Sequence, residues 1–241
     1  MAFDEQTLNH YQTLINQLNP HGSPTAKMIH QNTQDYALKV GILDASFNPF
    51  TLAHESLIQT SKETLKLDSM LLMLSLANVD KELFGATLEQ RLAMLTEYAK
   101  QHHLSVAICS HARFVDKIMA LTPCYAPNTQ FYFIVGYDTL VRLFDPKYYA
   151  DMQADLQKLF QTCHFIAANR ENNDQRVLDA FLKKSDVQPF SKRIHTISLP
   201  LNMAQISSTQ VRNNIQSKQP IEHLVPQVIS KAIHYLHLYS N

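Results

Sequence analysis

One short stretch of the chain joins several side chains that can bind a charged group. It reads ILDASFNPFTLAHESLIQTS from Ile42, where an apolar run ending at Asp44 gives way to a helical pattern near His54. Ser46, Thr51 and His54 therefore lie at one predicted turn between a strand and a helix. A plain connector needs only a turn residue and a cap. The extra polar residues indicate a candidate site; the alternative is a turn residue, Thr51, followed by an ordinary histidine of a first helical turn.

Two further segments combine a strand end or a helix start with polar residues. GYDTL, which carries Gly136 and Asp138, follows an apolar run, and ISSTQVR carries Ser208, Thr209 and Arg212. A helix start presents free N–H groups and a positive dipole end, which suit phosphate, while hydroxyls add donors and arginine adds a forked cation. The alternatives are that the serines only cap the helix and that Asp138 only complements a helix dipole.

Composition narrows the classes of function. The length of 241 residues allows one sizeable core, or one α/β domain with an appendage. With 45% hydrophobic and 17% charged residues the composition suits a globular protein, and a formal net charge of zero gives nucleic-acid binding little electrostatic support. The longest apolar runs are far shorter than the roughly 20 residues of a membrane span, and the first residues do not resemble a signal peptide. Three cysteines without a CxxC pair favour a reducing compartment, so we expect a cytoplasmic protein, with the nucleus as an alternative.

The periodicity divides the chain near residue 38. Residues 3–18 have the spacing of an amphipathic helix, and NPHGSPTAK interrupts it. We therefore expect an N-terminal helical extension and linker over residues 1–37 and one domain over residues 38–241. The strands predicted in that domain are ALKVGILD, SMLLMLSLA, LSVAICS, QFYFIVGYD, CHFIAAN and RIHTISLP. The predicted helices are LAHESLIQTSKETLKL, TLEQRLAMLTEYAKQ, ARFVDKIMAL, LVRLF, DQRVLDAFLKK, SSTQVRNNIQS and PQVISKAIHYLHLY.

This alternation predicts a doubly wound parallel sheet with helices on both faces. Several strands are apolar throughout, as strands covered on both sides are. In such sheets ligands bind beyond the carboxyl ends of the strands, where the strand order reverses. For the order 3-2-1-4-5 the reversal lies between the strands that end at Asp44 and at Gly136. We expect these two strand ends and the ISSTQVR helix start to meet at one phosphate-binding site.

These segments together resemble the nucleotidyltransferase superfamily that is marked by an HxGH-type motif and a C-terminal ISSTxxR motif. They are most similar to its nicotinamide and nicotinate mononucleotide adenylyltransferases. The family's GSFNPxTxxH stands here as ASFNPFTLAH over residues 45–54, its GxD as GYD, and its ISSTxxR as ISSTQVR. DKELFGATLEQRLAML resembles the family's lysine-containing segment, which is followed by hRxxM, where h is a hydrophobic residue. This match makes Lys81, and as a second candidate Arg91, possible substrate-binding residues. The resemblance runs from Leu38 to Tyr239 and implies a Rossmann-like fold.

The resemblance also implies adenylyl transfer from ATP to nicotinamide or nicotinate mononucleotide, with release of pyrophosphate. His54 would donate to an α-phosphate oxygen, with Thr51 at the place of the first histidine of HxGH donating through its hydroxyl. Ser46 and Phe47 would make backbone contacts to the nucleotides. Gly136 would allow close approach and Asp138 would bind ribose hydroxyls. The β- and γ-phosphates would be held by Ser208, Thr209 and Arg212, with help from Lys81. The catalytic residues would be His54 and Arg212, and Mg²⁺ would accompany ATP.

The match departs from the family most clearly on the mononucleotide side. Ala45 replaces the glycine before SFNP, and Ala53 replaces a residue that is often glycine. There is no tryptophan to stack on the pyridine ring, so Tyr148 or Tyr149 in DPKYY is expected to supply a ring face. The aromatic-x-x-threonine segment after the third strand has no clear counterpart in HARFVDKI. The ATP side is thus the better supported half of the expected site.

Several alternatives stay open at this point. The acceptor or the donor nucleotide could differ, with CTP as one donor, or the protein could be a nucleotide-binding regulator with weak or no turnover. Lys81 could be a solvated charge, and Arg91 suits a structural role on its amphipathic helix. His234 and His237 have helical spacing without a third ligand in view, so we expect no metal site there. The expected partners are small nucleotides, with homo-oligomer formation open and neither nucleic acid nor membrane involved.

Overall fold

A computed structural model describes residues 3–32, 37–76, 85–169 and 175–240. The strands are β1 (Ala26–His30), β2 (Lys39–Asp44), β3 (Ser69–Ser75), β4 (Ser105–Cys109), β5 (Gln130–Gly136), β6 (Cys163–Asn169) and β7 (Ile194–Ser198). The helices are α1 (Glu5–Asn16), α2 (Leu52–Leu65), α3 (Leu88–His102), α4 (Phe114–Leu121), α5 (Tyr137–Leu143), α6 (Met152–Thr162), α7 (Gln175–Leu182), α8 (Leu201–Ala204), α9 (Ser208–Gln216) and α10 (Gln227–Tyr235).

All seven strands of the described residues belong to one sheet, in the order β1-β4-β3-β2-β5-β6-β7. Every neighbouring pair is parallel except β1 with β4. The six strands predicted from the sequence are all present, and their order reverses between β2 and β5 as expected. The doubly wound α/β fold is therefore confirmed.

Local sequence explains where these elements begin and end. Strands β3 and β4 are buried almost throughout, as strands covered on both faces must be. Helix α3 begins with the predicted capping box, in which the Thr87 N–H donates to Gln90 Oε1 at 2.9 Å. It ends at His102, and the capping residue His103 has a φ of 54°, in the left-handed region.

Two hydrophobic clusters cover the two faces of the sheet. On one face, side chains of α1, α2, α3, α9 and α10 pack against the strands. On the other face, α4, α5, α6 and α7 do so. Helices α2 and α5, which follow the two central strands β2 and β5, thus lie on opposite faces. Among the described residues no helix has the length and apolar character needed to cross a membrane.

The N-terminal segment contributes more to this fold than its sequence pattern indicates. Strand β1 was not predicted; it pairs antiparallel with β4, with Met28 opposite Ala107. Helix α1 was predicted, and it buries Tyr11 and Ile15 in the same cluster as α3. The division of the chain near residue 38 stays a prediction, although the segment before it shares the sheet and the core. Helix α6 was also missed.

Candidate active site

Two strand ends of the sheet bring the first two polar segments together. Strands β2 and β5 pair in parallel, with Leu43 opposite Ile134, so both end at the same edge of the sheet. The chain then turns into α2 on one face and α5 on the other. A crevice between such diverging connections is the usual ligand site of this architecture.

Helix α9 is hydrogen-bonded directly to the loop after β2. Arg212 Nη1 donates to the main-chain oxygen of Asn48 at 2.7 Å, and Ser208 Oγ donates to that of Pro49 at 2.8 Å. The ISSTQVR segment therefore contacts the ASFNP segment about 160 residues earlier in the chain. Arg212 Nη2 also donates to Thr209 Oγ1 at 3.1 Å, which fixes the plane of the guanidinium group.

His54 is oriented through its Nδ1 atom. The Thr51 N–H donates to this nitrogen at 3.0 Å, and the Thr51 hydroxyl lies 2.9 Å from it. Because Nδ1 accepts from an amide, the proton of a neutral imidazole resides on Nε2. The ring is 8% exposed, and the rings of Phe47 and Phe50 lie 5.2 and 5.3 Å from its centroid. Its position is therefore fixed by packing as well as by hydrogen bonds.

The predicted hydroxyl donors have partners within the protein. Thr51 is fully buried, and its hydroxyl contacts His54 where the resemblance implied a phosphate contact. Ser207 caps α9 by accepting from the Gln210 N–H at 3.1 Å. The Ser208 hydroxyl already donates to the Pro49 oxygen. The main-chain N–H groups in the first turn of α9 are therefore the donors at this helix start that are best suited to bind an anion.

Arg91 holds the other side of the loop. It is 3% exposed; its Nε donates to the Ala86 oxygen at 2.8 Å and its Nη1 to the Ser46 oxygen at 3.3 Å. Burial lowers the pKa of this guanidinium, and the nearby charge of Arg212 lowers it further. Arginine nevertheless keeps its proton in proteins. Since the C=O and N–H of a trans peptide point in opposite directions, this contact turns the Phe47 N–H away from Arg91.

The candidate residues at and after the end of β5 differ in how many contacts they make within the protein. Apart from Gly136 and its two neighbours in the chain, no atom of the described residues lies within 4 Å of the position that a Cβ on Gly136 would take. Asp138 is exposed in the first turn of α5. Tyr148 is 45% exposed, with Lys147 Nζ 4.8 Å from its ring centroid. Tyr149 instead donates its hydroxyl to the Leu143 oxygen at 2.6 Å, and burial raises its pKa to about 12.

Sequence reasoning missed several residues that shape the site. Asn48 lies within the ASFNP motif, but its role as a hydrogen-bond acceptor for α9 has no local sequence signal. At the end of β2, Asp44 forms an ion pair with the buried Lys117 and accepts from Ser75 Oγ at 3.2 Å. Lys81 lies outside the described residues. Those residues contain no group of three or more His, Cys, Asp or Glu side chains able to hold a metal ion.

Known proteins with similar sequences match most of the chain. The family model described as cytidylyltransferase-like matches residues 42–214. A Schizosaccharomyces pombe protein that carries the name of a nicotinamide mononucleotide adenylyltransferase is 33% identical over 215 residues, covering 82% of this chain and 85% of its own. A Moorella thermoacetica protein named as a nicotinate-nucleotide adenylyltransferase is 27% identical over 208 residues, covering 83% and 91%.

A solved structure has the same fold. Nicotinic acid mononucleotide adenylyltransferase of Plasmodium falciparum, determined in complex with NaAD, superposes with a TM-score of 0.61 at 18% sequence identity. The match covers 83% of this chain and 97% of the parasite protein. The strands and helices of this chain thus have the arrangement seen over nearly the whole length of the parasite protein.

Proposed function

Because the chain belongs to the cytidylyltransferase-like family and, within it, to the nicotinamide and nicotinate mononucleotide adenylyltransferases, we propose that it transfers the adenylyl group of ATP to one or both of these mononucleotides. The products are NAD or its deamido form and pyrophosphate. The observation that carries this proposal is the contact between Arg212 and the Asn48 oxygen at 2.7 Å, which joins the third polar segment to the loop that leads into His54.

The reaction is an in-line displacement at phosphorus. A phosphate oxygen of the mononucleotide forms a bond to the α-phosphorus of ATP while the bond from that phosphorus to the β-phosphate oxygen breaks. Pyrophosphate leaves with the electron pair. The attacking oxygen is already anionic, so positioning and charge stabilisation supply the catalysis.

The described residues have groups suited to these tasks. His54 Nε2–H is the proposed donor to an α-phosphate oxygen, with Nδ1 held by Thr51. Arg212 and the first-turn N–H groups of α9 are the proposed contacts to the β- and γ-phosphates. Ser46 and Phe47 are proposed to bind through their main chain, and Gly136 and Asp138 to receive the ribose. Tyr148 is the proposed ring face for the pyridine.

Mg²⁺ is proposed to accompany ATP rather than to occupy a cage of protein side chains. Magnesium is commonly bound through substrate phosphates with few protein ligands, and it neutralises charge on a leaving pyrophosphate. A site formed largely by phosphate oxygens is compatible with the described residues, which offer cations and N–H groups around the loop. The proposed contribution of Lys81 to the same phosphates rests on its sequence match alone.

The test is a product assay. Purified protein is mixed with ATP and Mg²⁺ and with nicotinamide or nicotinate mononucleotide, and dinucleotide and pyrophosphate are measured; a parallel reaction contains CTP. We expect dinucleotide from ATP with at least one acceptor, and a loss of about 100-fold or more in kcat for His54→Ala. His21→Ala, at an exposed position, is the control. Folded wild-type protein without product from either acceptor would refute the proposal, and product only from CTP would support a different donor.

Two further expectations remain proposals. A cytoplasmic location, with the nucleus as the alternative, is tested by imaging a tagged chain in cells. Assembly into homo-oligomers is tested by light scattering over a range of protein concentrations. Neither outcome changes the proposed chemistry.

A further inference from the structure

The C-terminal turn folds back toward the candidate site. After α10, His237 and Tyr239 have φ values of 50° and 64°, in the left-handed region. The Leu238 N–H donates to the Ile233 oxygen at 3.0 Å, and the Leu238 side chain is buried at 7% exposure. This anchored turn fixes where the next side chain, Tyr239, can reach.

Tyr239 reaches the loop after β2. Its hydroxyl donates to Asn48 Oδ1 at 2.8 Å, and the Ala86 N–H donates to the same oxygen at 3.2 Å. Burial raises the pKa of the Tyr239 phenol, although Arg91 and Arg212 act against this shift. The phenol therefore carries its proton at neutral pH and acts as the donor.

Asn48 connects this contact to Arg212. Its side-chain oxygen is bound by Tyr239, while its main-chain oxygen is bound by Arg212 Nη1 at 2.7 Å. Asn48 is 4% exposed, and both hydrogen bonds are partly buried. A hydrogen bond in such surroundings restricts its partners more than one at the surface does.

The packing around these three residues leaves little room for adjustment. Gly85 has a φ of 79°, and a Cβ at this position would lie 2.9 Å from the side-chain oxygen of Asn48 and 2.9 Å from Tyr239 Cε1. The C-terminal turn and Arg212 also line a common cavity of about 620 Å³. The turn is thus part of the wall that surrounds the guanidinium group.

We propose that Tyr239 is a positioning residue for adenylyl transfer: its hydroxyl fixes Asn48, and through the Asn48 carbonyl it fixes Arg212 for the triphosphate of ATP. This inference rests on the proposed function. It assigns a role to a residue near the C-terminal end of the chain, which would act through Asn48 and Arg212 rather than through a substrate contact of its own. The ATP side of the reaction depends on it, whereas the mononucleotide side does not.

Steady-state kinetics of Tyr239→Phe test this role, with Tyr235→Phe as the matched control. The Tyr235 side chain lies on the adjoining helix and is 51% exposed. We expect Tyr239→Phe to raise the KM for ATP about fivefold or to lower kcat by a similar factor, as for the loss of one buried hydrogen bond, with the KM for the mononucleotide unchanged. Tyr235→Phe should match the wild type.

A double-mutant cycle with Arg212→Lys separates positioning from general destabilisation. If Tyr239 acts through Arg212, the effect of Tyr239→Phe should largely disappear in the Arg212→Lys background. Additive effects, or a fall in kcat that only matches the loss of folded protein with both KM values unchanged, would overturn the inference while leaving the proposed function intact. An inactive wild type would instead refute the proposed function.

Gly85→Ala provides a second route if Tyr239→Phe does not fold. The added methyl group would lie 2.9 Å from atoms of Asn48 and Tyr239, and alanine is strained at the Gly85 φ of 79°, but the variant retains the Tyr239 hydroxyl group. We expect a raised KM for ATP, again with the mononucleotide KM unchanged. An unchanged KM for ATP together with an unchanged kcat in folded Gly85→Ala would contradict the coupling.

Discussion

The Thr51 hydroxyl lies 2.9 Å from His54 Nδ1, and Thr51 is completely buried. A residue expected from the family resemblance to bind phosphate therefore contacts the histidine that is proposed to do so. The Thr51 main-chain N–H contacts the same nitrogen at 3.0 Å. We interpret Thr51 as the residue that sets the orientation and the tautomer of His54.

Thr51→Val should separate catalysis from folding. Valine keeps the volume and the main-chain N–H but removes the hydroxyl, so we expect kcat to fall about tenfold because a small displacement of a catalytic group is costly. The free energy of unfolding should change by no more than about 1.5 kcal/mol. Steady-state kinetics and urea unfolding measure the two quantities.

Thr51→Ser is the control for the same position. It retains the hydroxyl and should keep most of the activity, since the contact to Nδ1 can still form. If Thr51→Val were as active as the wild type, the hydroxyl would have no part in holding His54.

Gly136→Ala should weaken nucleotide binding without weakening the fold. The new methyl group meets no atom of the described residues within 4 Å, so the free energy of unfolding should change by less than about 1 kcal/mol. A nucleotide that lies against this glycine would meet the methyl group, so the KM for that nucleotide should rise about tenfold. Gly22→Ala, beside the exposed Asn19, is the control. Unchanged kinetics in Gly136→Ala would mean that no substrate approaches Gly136.

The adjacent tyrosines should respond differently to substitution. Tyr148→Leu removes an exposed ring, so we expect a KM for the mononucleotide about tenfold higher with little loss of stability. Tyr149→Phe removes the hydrogen bond to Leu143 and should lower the free energy of unfolding by about 1 kcal/mol with unchanged kinetics. The opposite pattern would identify Tyr149 as the substrate contact.

A half-buried histidine pair predicts lower stability in acid. Arg193 Nη1 lies 3.0 Å from His164 Nε2, and His164 Nδ1 lies 3.0 Å from His195 Nε2. Because arginine can only donate, His164 accepts at Nε2 and carries its proton on Nδ1. Burial, followed by the charge of Arg193, lowers the pKa of His164 to about 4. The pKa of His195 is lowered as well, chiefly by burial.

The sign of the effect follows from linkage. The unfolded chain takes up protons near pH 6.5, whereas folded His164 does so only near pH 4, so stability is lost as the pH falls through this window. The pair is half-buried, and solvent screening limits the expected loss to about 1 kcal/mol. Urea unfolding at pH 7.5 and 5.0 measures it, and His164→Gln should reduce the difference while the exposed control His21→Gln should not. Identical pH dependence in the wild type and His164→Gln would contradict the assignment.

Much of the fold could be predicted because its signals are local. Apolar runs bounded by polar turns identified six strands, and the capping box of Thr87 and Gln90 identified the start of α3. Helix α6 was missed even though Met152, Leu156, Leu159 and Phe160 have helical spacing. Strand β1 lacks a clear alternation of buried and exposed residues, since all five of its residues are partly buried.

The site was less predictable because its contacts connect distant parts of the chain. Motif residues indicated where the loop and the helix start lie, but not that Arg212 bonds the Asn48 carbonyl. Nor does any spacing indicate that Arg91 binds the Ser46 oxygen or that Lys117 pairs with Asp44. Such hydrogen bonds to main-chain oxygens depend on tertiary geometry and place no constraint on the residue that supplies the oxygen.

Strand β1 has a consequence for anyone who shortens the chain to residues 38–241. It covers one side of β4, which without it would present a row of unpaired N–H and C=O groups to solvent. An uncovered strand of this kind is a template for pairing between molecules, and β4 is apolar. We therefore expect a chain shortened to residues 38–241 to associate through the exposed edge of β4, which the N-terminal segment covers in this structure.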